Sequence, residues 1–225
     1  MSTVLDPLFS EVVDPRSLAD LLHDLGDIAP ERVRLYPSPG TVTFEQFVAI
    51  NERVKPICEW VDNTLVEKAV GYRESCLAMW IGIELGIYLK QHNMGSISGA
   101  DGVMRILPES ARAPDVGVVL WSRFPGGKLP THPVPELVPD LAIEVLSKSN
   151  TMREMKRKRR EYFSAGTKQV WEIDPETRSA VVYTADDEGM LVGQDGVLTG
   201  DPVLPGFRLS LADLFQRLAQ EKNRD

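Results

Sequence analysis

The sequence predicts an α/β fold with a mixed β-sheet core. This prediction rests on the order of elements between residues 141 and 184, where an apolar strand is followed by an amphipathic helix, a second strand and a hairpin. A strand-helix-strand unit places two strands in parallel, and the hairpin adds an antiparallel neighbour. With 225 residues, 43% of them hydrophobic, the chain can bury one full-sized core. We therefore expect one main domain over residues 41–225, preceded by an N-terminal extension over residues 1–40.

The individual elements follow from apolar spacing and turn residues. In the extension, prolines leave room for one short helix between Ser17 and Leu25. The main domain is expected to open with a helix at Thr43, because Gln46 three residues later completes a capping box. The further predicted elements are a hairpin over 59–67, a helix over 74–91, a glycine-broken strand within 97–107, strands over 116–121 and 141–146, a helix over 151–165 closed by Gly166, strands over 169–173, 180–184 and 206–209, and a final helix capped by Ser210. Residues 122–139 and 186–188 are predicted to form loops.

Composition and charge exclude several classes of protein. The 33 acidic and 25 basic residues give a net charge of −8, so any nucleic-acid contact must be local rather than a product of the overall field. No signal peptide opens the chain, and its most apolar helical stretch falls short of a membrane span. We expect a cytoplasmic protein with no membrane contact. The cysteines and histidines have no zinc-ligand spacing; they are Cys58, Cys76, His23, His92 and His132.

Two acidic residues in otherwise apolar strands are the strongest chemical signal. Asp115 lies in the run APDVGVVL, which starts at Ala113, and Glu144 lies in PDLAIEVL, which starts at Pro139. An ionised carboxylate in such a strand is costly unless a cation compensates it. One interpretation is that Glu144 pairs with an arginine of the following helix. The other is that Asp115 and Glu144 face the same point and bind Mg²⁺, which prefers carboxylate oxygens with water in its remaining positions.

The helix after Glu144 is crowded with basic residues. Its apolar face is predicted to contain Met152, Met155, Tyr162 and Phe163, with Lys158 at the edge of that face. Arg153, Arg157 and Arg160 are predicted to point away, towards solvent or phosphate. A simpler interpretation is a solvated helix face balanced by Glu154 and Glu161. Arg159 falls inside the apolar stripe, which requires snorkelling or a buried acidic partner.

Together these segments resemble a known family. PDLAIEVLSKSNT, the helix ending KRREYFSAG and the following KQVWEIDPETRSAVVY are similar to the Uma-type restriction endonuclease family, a branch of the PD-(D/E)XK nuclease superfamily. The similarity runs from about Thr41 to Leu214 and includes GVMRILPESARAPDVGVV and PVLPGFRLSLADLF. It implies a restriction-endonuclease-like mixed sheet flanked by helices.

The resemblance also implies roles for individual residues. Asp115 and Glu144 become the two metal-binding acids, and Lys158, four residues before Tyr162, becomes the catalytic lysine. The superfamily's simplest pattern has a lysine two residues after the glutamate, where this chain has Leu146, so Lys148 is a rival. Glu59 corresponds to a further carboxylate of the early hairpin. Glu74 stands where family members often carry histidine.

The implied function is a metal-dependent endonuclease that hydrolyses DNA phosphodiester bonds with Mg²⁺ or Mn²⁺. Arg153, Arg157 and Arg160 are then expected to contact backbone phosphates. A homodimer would suit an enzyme that cuts both strands, although the sequence reveals no interface. The alternative is a nuclease-like fold without catalysis that serves as a nucleic-acid-binding or protein-binding module. The acidic net charge and the displaced lysine keep that alternative open beside the endonuclease.

Overall fold

A computed structural model describes residues 17–69 and 71–219. Residues 1–16 of the predicted extension therefore lie outside the described part. The helices of the described part are α1 (Leu18–Asp24), α2 (Phe44–Arg53), α3 (Tyr72–His92), α4 (Met152–Ala165) and α5 (Leu211–Ala219). Its strands are β1 (Cys58–Val61), β2 (Thr64–Glu67), β3 (Gly95–Gly99), β4 (Met104–Leu107), β5 (Ser110–Arg112), β6 (Val116–Leu120), β7 (Leu141–Val145), β8 (Gln169–Asp174), β9 (Ser179–Ala185), β10 (Glu188–Val192), β11 (Val197–Thr199) and β12 (Arg208–Ser210).

A six-stranded mixed sheet forms the centre of the domain. Its strand order is β10-β9-β8-β7-β6-β3, and the β7 and β8 strands run parallel because α4 connects them. The other pairs in this sheet are antiparallel. This arrangement confirms the predicted α/β class with a mixed sheet.

Helices cover both faces of the sheet. Because side chains alternate along β7, its residues pack in turn against the helices on one face and on the other. Leu141, Ile143 and Val145 join the larger core with α3 and α5. Ala142 faces the other way and packs in the core that contains Tyr162 of α4. Because side chains alternate along a strand, Glu144 lies on the same face as Ala142, under helix α4.

A second, four-stranded antiparallel sheet lies beside the first, with the order β2-β1-β5-β4. Its core contains Phe47 of α2 and Trp60 of β1, whose indole N–H donates to the Val42 carbonyl. Thr43 and Gln46 form the predicted capping box at the start of α2. This sheet carries Glu59 on β1 and Arg112 on β5, both buried.

The described part of the N-terminal extension packs against the main domain through buried surface. Helix α1 forms where predicted, with Ser17 as its N-cap. Leu25, Ile28 and Val33 then form a small core with residues of the β1-β2 hairpin. Arg32 makes a two-point ion pair with Glu154 of α4, at 2.8 and 3.0 Å, and both groups are buried. The domain boundary at residue 41 remains a prediction.

The structure differs from the sequence prediction in the glycine-broken segment and near the C-terminus. Residues 97–107 belong to two strands in different sheets, because the turn at 99–102 sends β3 and β4 apart. Glu188 was expected in a loop, but it begins β10, which pairs with β9 in a hairpin. Strand β11, which pairs with β12, was not predicted.

Candidate active site

The two predicted acids meet at the ends of neighbouring strands. Asp115 immediately precedes β6, Glu144 lies in β7, and these strands pair so that Val116 stands opposite Ile143. One Asp115 oxygen, Oδ2, accepts the Val145 backbone N–H at 2.7 Å. The residue next to Glu144 therefore fixes the Asp115 carboxylate beside it.

Helix α4 supplies two side chains to Glu144 from positions one turn apart. Lys158 Nζ lies 3.4 Å from Glu144 Oε2, and the Tyr162 hydroxyl donates to Glu144 Oε1 at 2.8 Å. Residues at i and i+4 lie on one face of a helix, so Lys158 and Tyr162 reach the same carboxylate. The predicted position of Lys158 at the edge of the apolar face is confirmed, since its side chain is only 3% exposed.

Glu59 joins the same cluster from the second sheet. Its Oε1 lies 3.2 Å from Lys158 Nζ, and its Oε2 accepts from Arg112 at 2.8 Å. The Ala113 backbone N–H also donates to Glu59, at 3.2 Å. Lys158 thus bridges a carboxylate from each sheet.

A second lysine, Lys68, holds Asp115. Its ammonium lies 2.9 Å from Asp115 Oδ1 and also donates to the Ala113 and Ala100 carbonyls. Sequence reasoning missed Lys68 because one lysine after a short strand carries no signal that distinguishes it from a surface residue. We name the group formed by Asp115, Glu144, Glu59, Lys68, Lys158 and Arg112 the carboxylate cluster.

Burial and neighbouring charges set the ionisation of this cluster. Burial raises the pKa of Glu144 to about 7 despite the nearby Lys158, and the Asp115 carboxylate adds to the rise. Glu59 is also buried, but the charges of Lys158 and Arg112 outweigh burial and hold its pKa well below the usual value. Burial opposes the charge on Lys158, yet Glu144 and Glu59 raise its pKa above that of a free lysine. The cluster therefore stabilises a charged Lys158 and an ionised Glu59.

Comparison with protein families places this chain in a known group. A family model described as "Putative restriction endonuclease" (Uma2) matches residues 44–212, well over half of the chain. The chain belongs to this family. The match starts at α2 and ends within α5, so it contains the whole carboxylate cluster, and it confirms the resemblance seen in the sequence.

A solved structure shares the fold. It is the crystal structure of a putative nuclease belonging to DUF820 from Anabaena variabilis, which is 20% identical to this chain with a TM-score of 0.69. The alignment covers 79% of this chain and 99% of that one. No curated protein matches the chain significantly. The predicted restriction-endonuclease-like architecture is thus supported at the level of the fold.

A second layer of charged residues surrounds the carboxylate cluster. Arg112 donates to Glu161 at 2.7 Å, and Glu161 also accepts from Ser110 and Arg157 at 2.8 Å each. Burial opposes ionisation of Glu161, but the Arg112 guanidinium outweighs it and lowers the pKa to about 2. The interpretation of Glu154 and Glu161 as parts of a solvated helix face is therefore wrong, because both are buried against arginines.

The other basic residues of α4 divide between partners and solvent. The prediction that Arg157 points towards solvent was wrong, because its side chain is mostly covered and binds Glu161 and Asp62 at 2.8 Å each. Arg160 is exposed, and Arg153 is half exposed with Asp27 at 3.8 Å. Arg159 has the buried acidic partner that its position required, since it binds Glu172 at 2.5 Å.

Met152 at the start of α4 and Lys148 just before it are both exposed. Met152 was placed on the apolar face of α4, but its side chain is 92% exposed, so that assignment was wrong. It lies in the first turn, before the helix reaches the core. Lys148, the rival catalytic lysine, is exposed in the turn after β7, whereas Lys158 contacts Glu144 directly. The geometry favours Lys158.

A cavity of about 530 Å³ opens beside Asp115. Its floor is mostly apolar, and Glu74, Asp101 and Asp115 supply carboxylates; no lysine or arginine is found among the described residues that line it. Glu74 is therefore at the cavity wall. In the part of the chain that the structure describes, no three His, Cys, Asp or Glu side chains are arranged as metal ligands.

The donors present nevertheless fit one hard cation. Asp115 and Glu144 offer oxygen ligands on neighbouring strands, and Asp115 reaches the cavity, where water can complete the coordination. Burial and the neighbouring Asp115 carboxylate both raise the pKa of Glu144, and a cation between the two acids would remove the repulsion between them.

The described residues contain no helix with the length and hydropathy of a membrane-spanning segment.

Proposed function

We propose that this chain is a metal-dependent endonuclease that hydrolyses DNA phosphodiester bonds. The observation that carries the proposal is the meeting of Asp115, Glu144 and Lys158 at the ends of two neighbouring strands, in a chain of the Uma2 family. Two carboxylates that can hold a cation, with an ammonium beside them, suit the hydrolysis of a phosphodiester, in which negative charge develops on the oxygens bonded to phosphorus.

Asp115 and Glu144 would hold Mg²⁺ or Mn²⁺ between them. When bound, the ion would polarise a phosphoryl oxygen and lower the pKa of a coordinated water. The charge of the cavity supports this requirement, because Glu74, Asp101 and Asp115 would repel a phosphodiester unless a cation stood between. In the hydrolysis, water would form a bond to phosphorus and give up one proton, while the bond to the leaving sugar oxygen would break and that oxygen would take up a proton.

The remaining residues of the cluster orient these groups. Tyr162 donates to Glu144 and limits the rotation of its carboxylate. Lys158 keeps a positive charge beside Glu144, which favours the ionised carboxylate and the negative charge that develops on the substrate. Glu59 holds Lys158 from the opposite side and keeps that lysine charged.

DNA would be held by the exposed arginines of α4. Arg160 is exposed, and Arg153 is half exposed with Asp27 at 3.8 Å, so solvent reaches both side chains and they could contact backbone phosphates. Arg157 is already bound to Glu161 and Asp62, so we assign it to the charge network rather than to DNA. Cleavage of both strands would use two copies of the chain as a homodimer.

One observation favours the alternative, a nuclease-like fold that binds nucleic acid or protein without cutting. Asp115 already has an ammonium partner in Lys68, so the acids do not depend on a metal for charge compensation. Such a module would bind its partner whether or not divalent ions were present. The two functions therefore differ in their dependence on metal and on Glu144.

The test is cleavage of supercoiled plasmid DNA by the purified chain with Mg²⁺ or Mn²⁺. We expect the wild type to cut, and we expect Glu144→Gln and Asp115→Asn to lose at least 100-fold in rate, because each change removes one anionic ligand. Glu84→Gln is the matched control, since Glu84 pairs with Arg217 on the far side of α3. It should cut like the wild type.

Binding measurements separate the two functions. We expect Glu144→Gln to retain DNA binding in a mobility-shift assay and to unfold at a temperature close to that of the wild type. A wild type that binds DNA but cuts no single-stranded or double-stranded substrate with either metal would refute the endonuclease and support the binding module.

A further inference from the structure

Lys68 is a residue of the carboxylate cluster to which the proposed mechanism gives no role. It lies directly after β2, and its side chain is 3% exposed. An ammonium has three N–H donors. In Lys68 they face three oxygens: Asp115 Oδ1 at 2.9 Å, the Ala100 carbonyl at 3.4 Å and the Ala113 carbonyl in close contact. Its donors are therefore fully used inside the protein.

The oxygens around Lys68 resemble the surroundings of a bound cation. One carboxylate and two backbone carbonyls point at a buried positive charge, and hard metal ions in proteins use the same oxygen types. The ammonium thus takes a position that a second cation would otherwise take at Asp115.

Each carboxylate of the cluster already has a cation beside it before any metal binds. Lys68 contacts Asp115, Lys158 contacts both Glu144 and Glu59, and Arg112 contacts Glu59. A divalent ion at Asp115 would add positive charge next to the Lys68 ammonium. Because the Lys68 side chain is buried, this repulsion is strong, and the ammonium must move away from Asp115 for a metal to bind well.

We propose that Lys68 is a built-in cation that competes with the divalent ion for Asp115 and keeps metal affinity low. The inference rests on the proposed metal-dependent function. A metal bonded to Asp115 would lie about 2 Å from a carboxylate that Lys68 also contacts, which brings the two cations within a few Å of each other. On metal binding, Lys68 releases Asp115 Oδ1 and keeps its two carbonyl partners.

The experiment measures Mn²⁺ binding by isothermal titration calorimetry in the absence of DNA. Lys68→Met removes the charge but keeps most of the length of the side chain, and we expect it to bind Mn²⁺ at least tenfold more tightly than the wild type. Lys90→Met is the matched control. Lys90 is exposed in the last turn of α3, and its replacement changes the net charge by the same amount. It should bind within twofold of the wild type. Asp115→Asn in the Lys68→Met background should abolish the gain.

A second variant and a measurement on the wild type guard against misfolding. Lys68→Gln keeps a polar end that can donate to the carbonyls, and it should show the same gain in affinity. In the wild type, the side-chain ammonium resonance of Lys68 should shift when Mg²⁺ is added, since the lysine loses its Asp115 partner. An unchanged resonance at saturating Mg²⁺ would overturn the proposal.

The outcomes distinguish this inference from the proposed function. If the wild type binds Mn²⁺ and the folded Lys68 variants bind it equally or more weakly, the competition by Lys68 is refuted while the metal centre stands. If neither the wild type nor the variants bind Mn²⁺, the metal centre is refuted and the inference with it. Tighter binding in both Lys68 variants, lost again with Asp115→Asn, supports both.

Discussion

Substitution of Glu161 by Gln should remove most of the pH-dependent contribution that this carboxylate makes to the free energy of unfolding. Glu161 is buried between Arg112 and Arg157, and Ser110 also donates to it. Burial opposes its charge, but Arg112 outweighs burial and lowers the pKa from 4.5 to about 2. Because each pKa unit corresponds to about 1.4 kcal/mol, the ionised carboxylate contributes about 3 kcal/mol to the free energy of unfolding at neutral pH.

The sign of the pH dependence follows from the lowered pKa. A carboxylate with a lower pKa in the folded state stabilises the protein above its unfolded-state value of 4.5, and this stability is lost as the pH falls towards about 2. By linkage, about 2 kcal/mol of the contribution should be gone at pH 3. The difference in unfolding free energy between the wild type and Glu161→Gln should therefore be about 3 kcal/mol at pH 7 and about 1 kcal/mol at pH 3.

Urea unfolding followed by circular dichroism at a series of pH values measures this difference. Glu52→Gln, in an exposed position of α2, is the matched control and should follow the wild type at each pH. A difference between wild type and Glu161→Gln that stays constant from pH 7 to pH 3 would refute the argument, because the carboxylate would then contribute through packing and neutral hydrogen bonds alone.

Two further predictions concern the contact between the N-terminal extension and α4. Arg32→Met should destabilise the protein by about 3 to 5 kcal/mol in urea unfolding, because it leaves the buried Glu154 without its two-point partner; a loss below about 1 kcal/mol would show that the ion pair adds little. Gly26→Ala should lower the free energy of unfolding by more than about 2 kcal/mol, because Gly26 has a φ of +100° and an added Cβ would lie 2.6 Å from the Glu154 Cα. Gly40→Ala is its control, since Gly40 also has a positive φ but open space around it, and equal losses in the two variants would contradict the steric argument.

Local signals in the sequence predicted helix α4 and its ends well. Thr151 caps the helix by accepting the Glu154 N–H, and Gly166 ends it in the left-handed conformation. These signals act between residues that are close in the chain, so a single sequence contains them. The position of Lys158 on the buried side of the helix followed from the same periodicity.

The buried charge network could not be predicted in this way. Helical periodicity places charged residues towards solvent, but Glu154 and Glu161 are covered by the N-terminal extension and by the second sheet. Their partners Arg32 and Arg112 lie 122 and 49 residues away in the chain. Lys68 was missed for the same reason, because its partner Asp115 is brought to it only by the fold.

The proximity of Asp115 and Glu144 could be predicted from the sequence only in part. Each acid was visible as a charge in an apolar strand, but strand adjacency is a non-local property that the apolar pattern does not contain. The family resemblance indicated that the two strands belong together, and the pairing of β6 with β7 agrees with it. The catalytic and metal-binding roles of the two acids remain proposals.

The most direct test of the proposed centre is anomalous diffraction from crystals soaked in Mn²⁺. We expect a single strong peak beside Asp115, about 2 Å from carboxylate oxygens of both Asp115 and Glu144 and absent in Glu144→Gln crystals. A peak bound elsewhere, or none beside these two residues at saturating Mn²⁺, would contradict it.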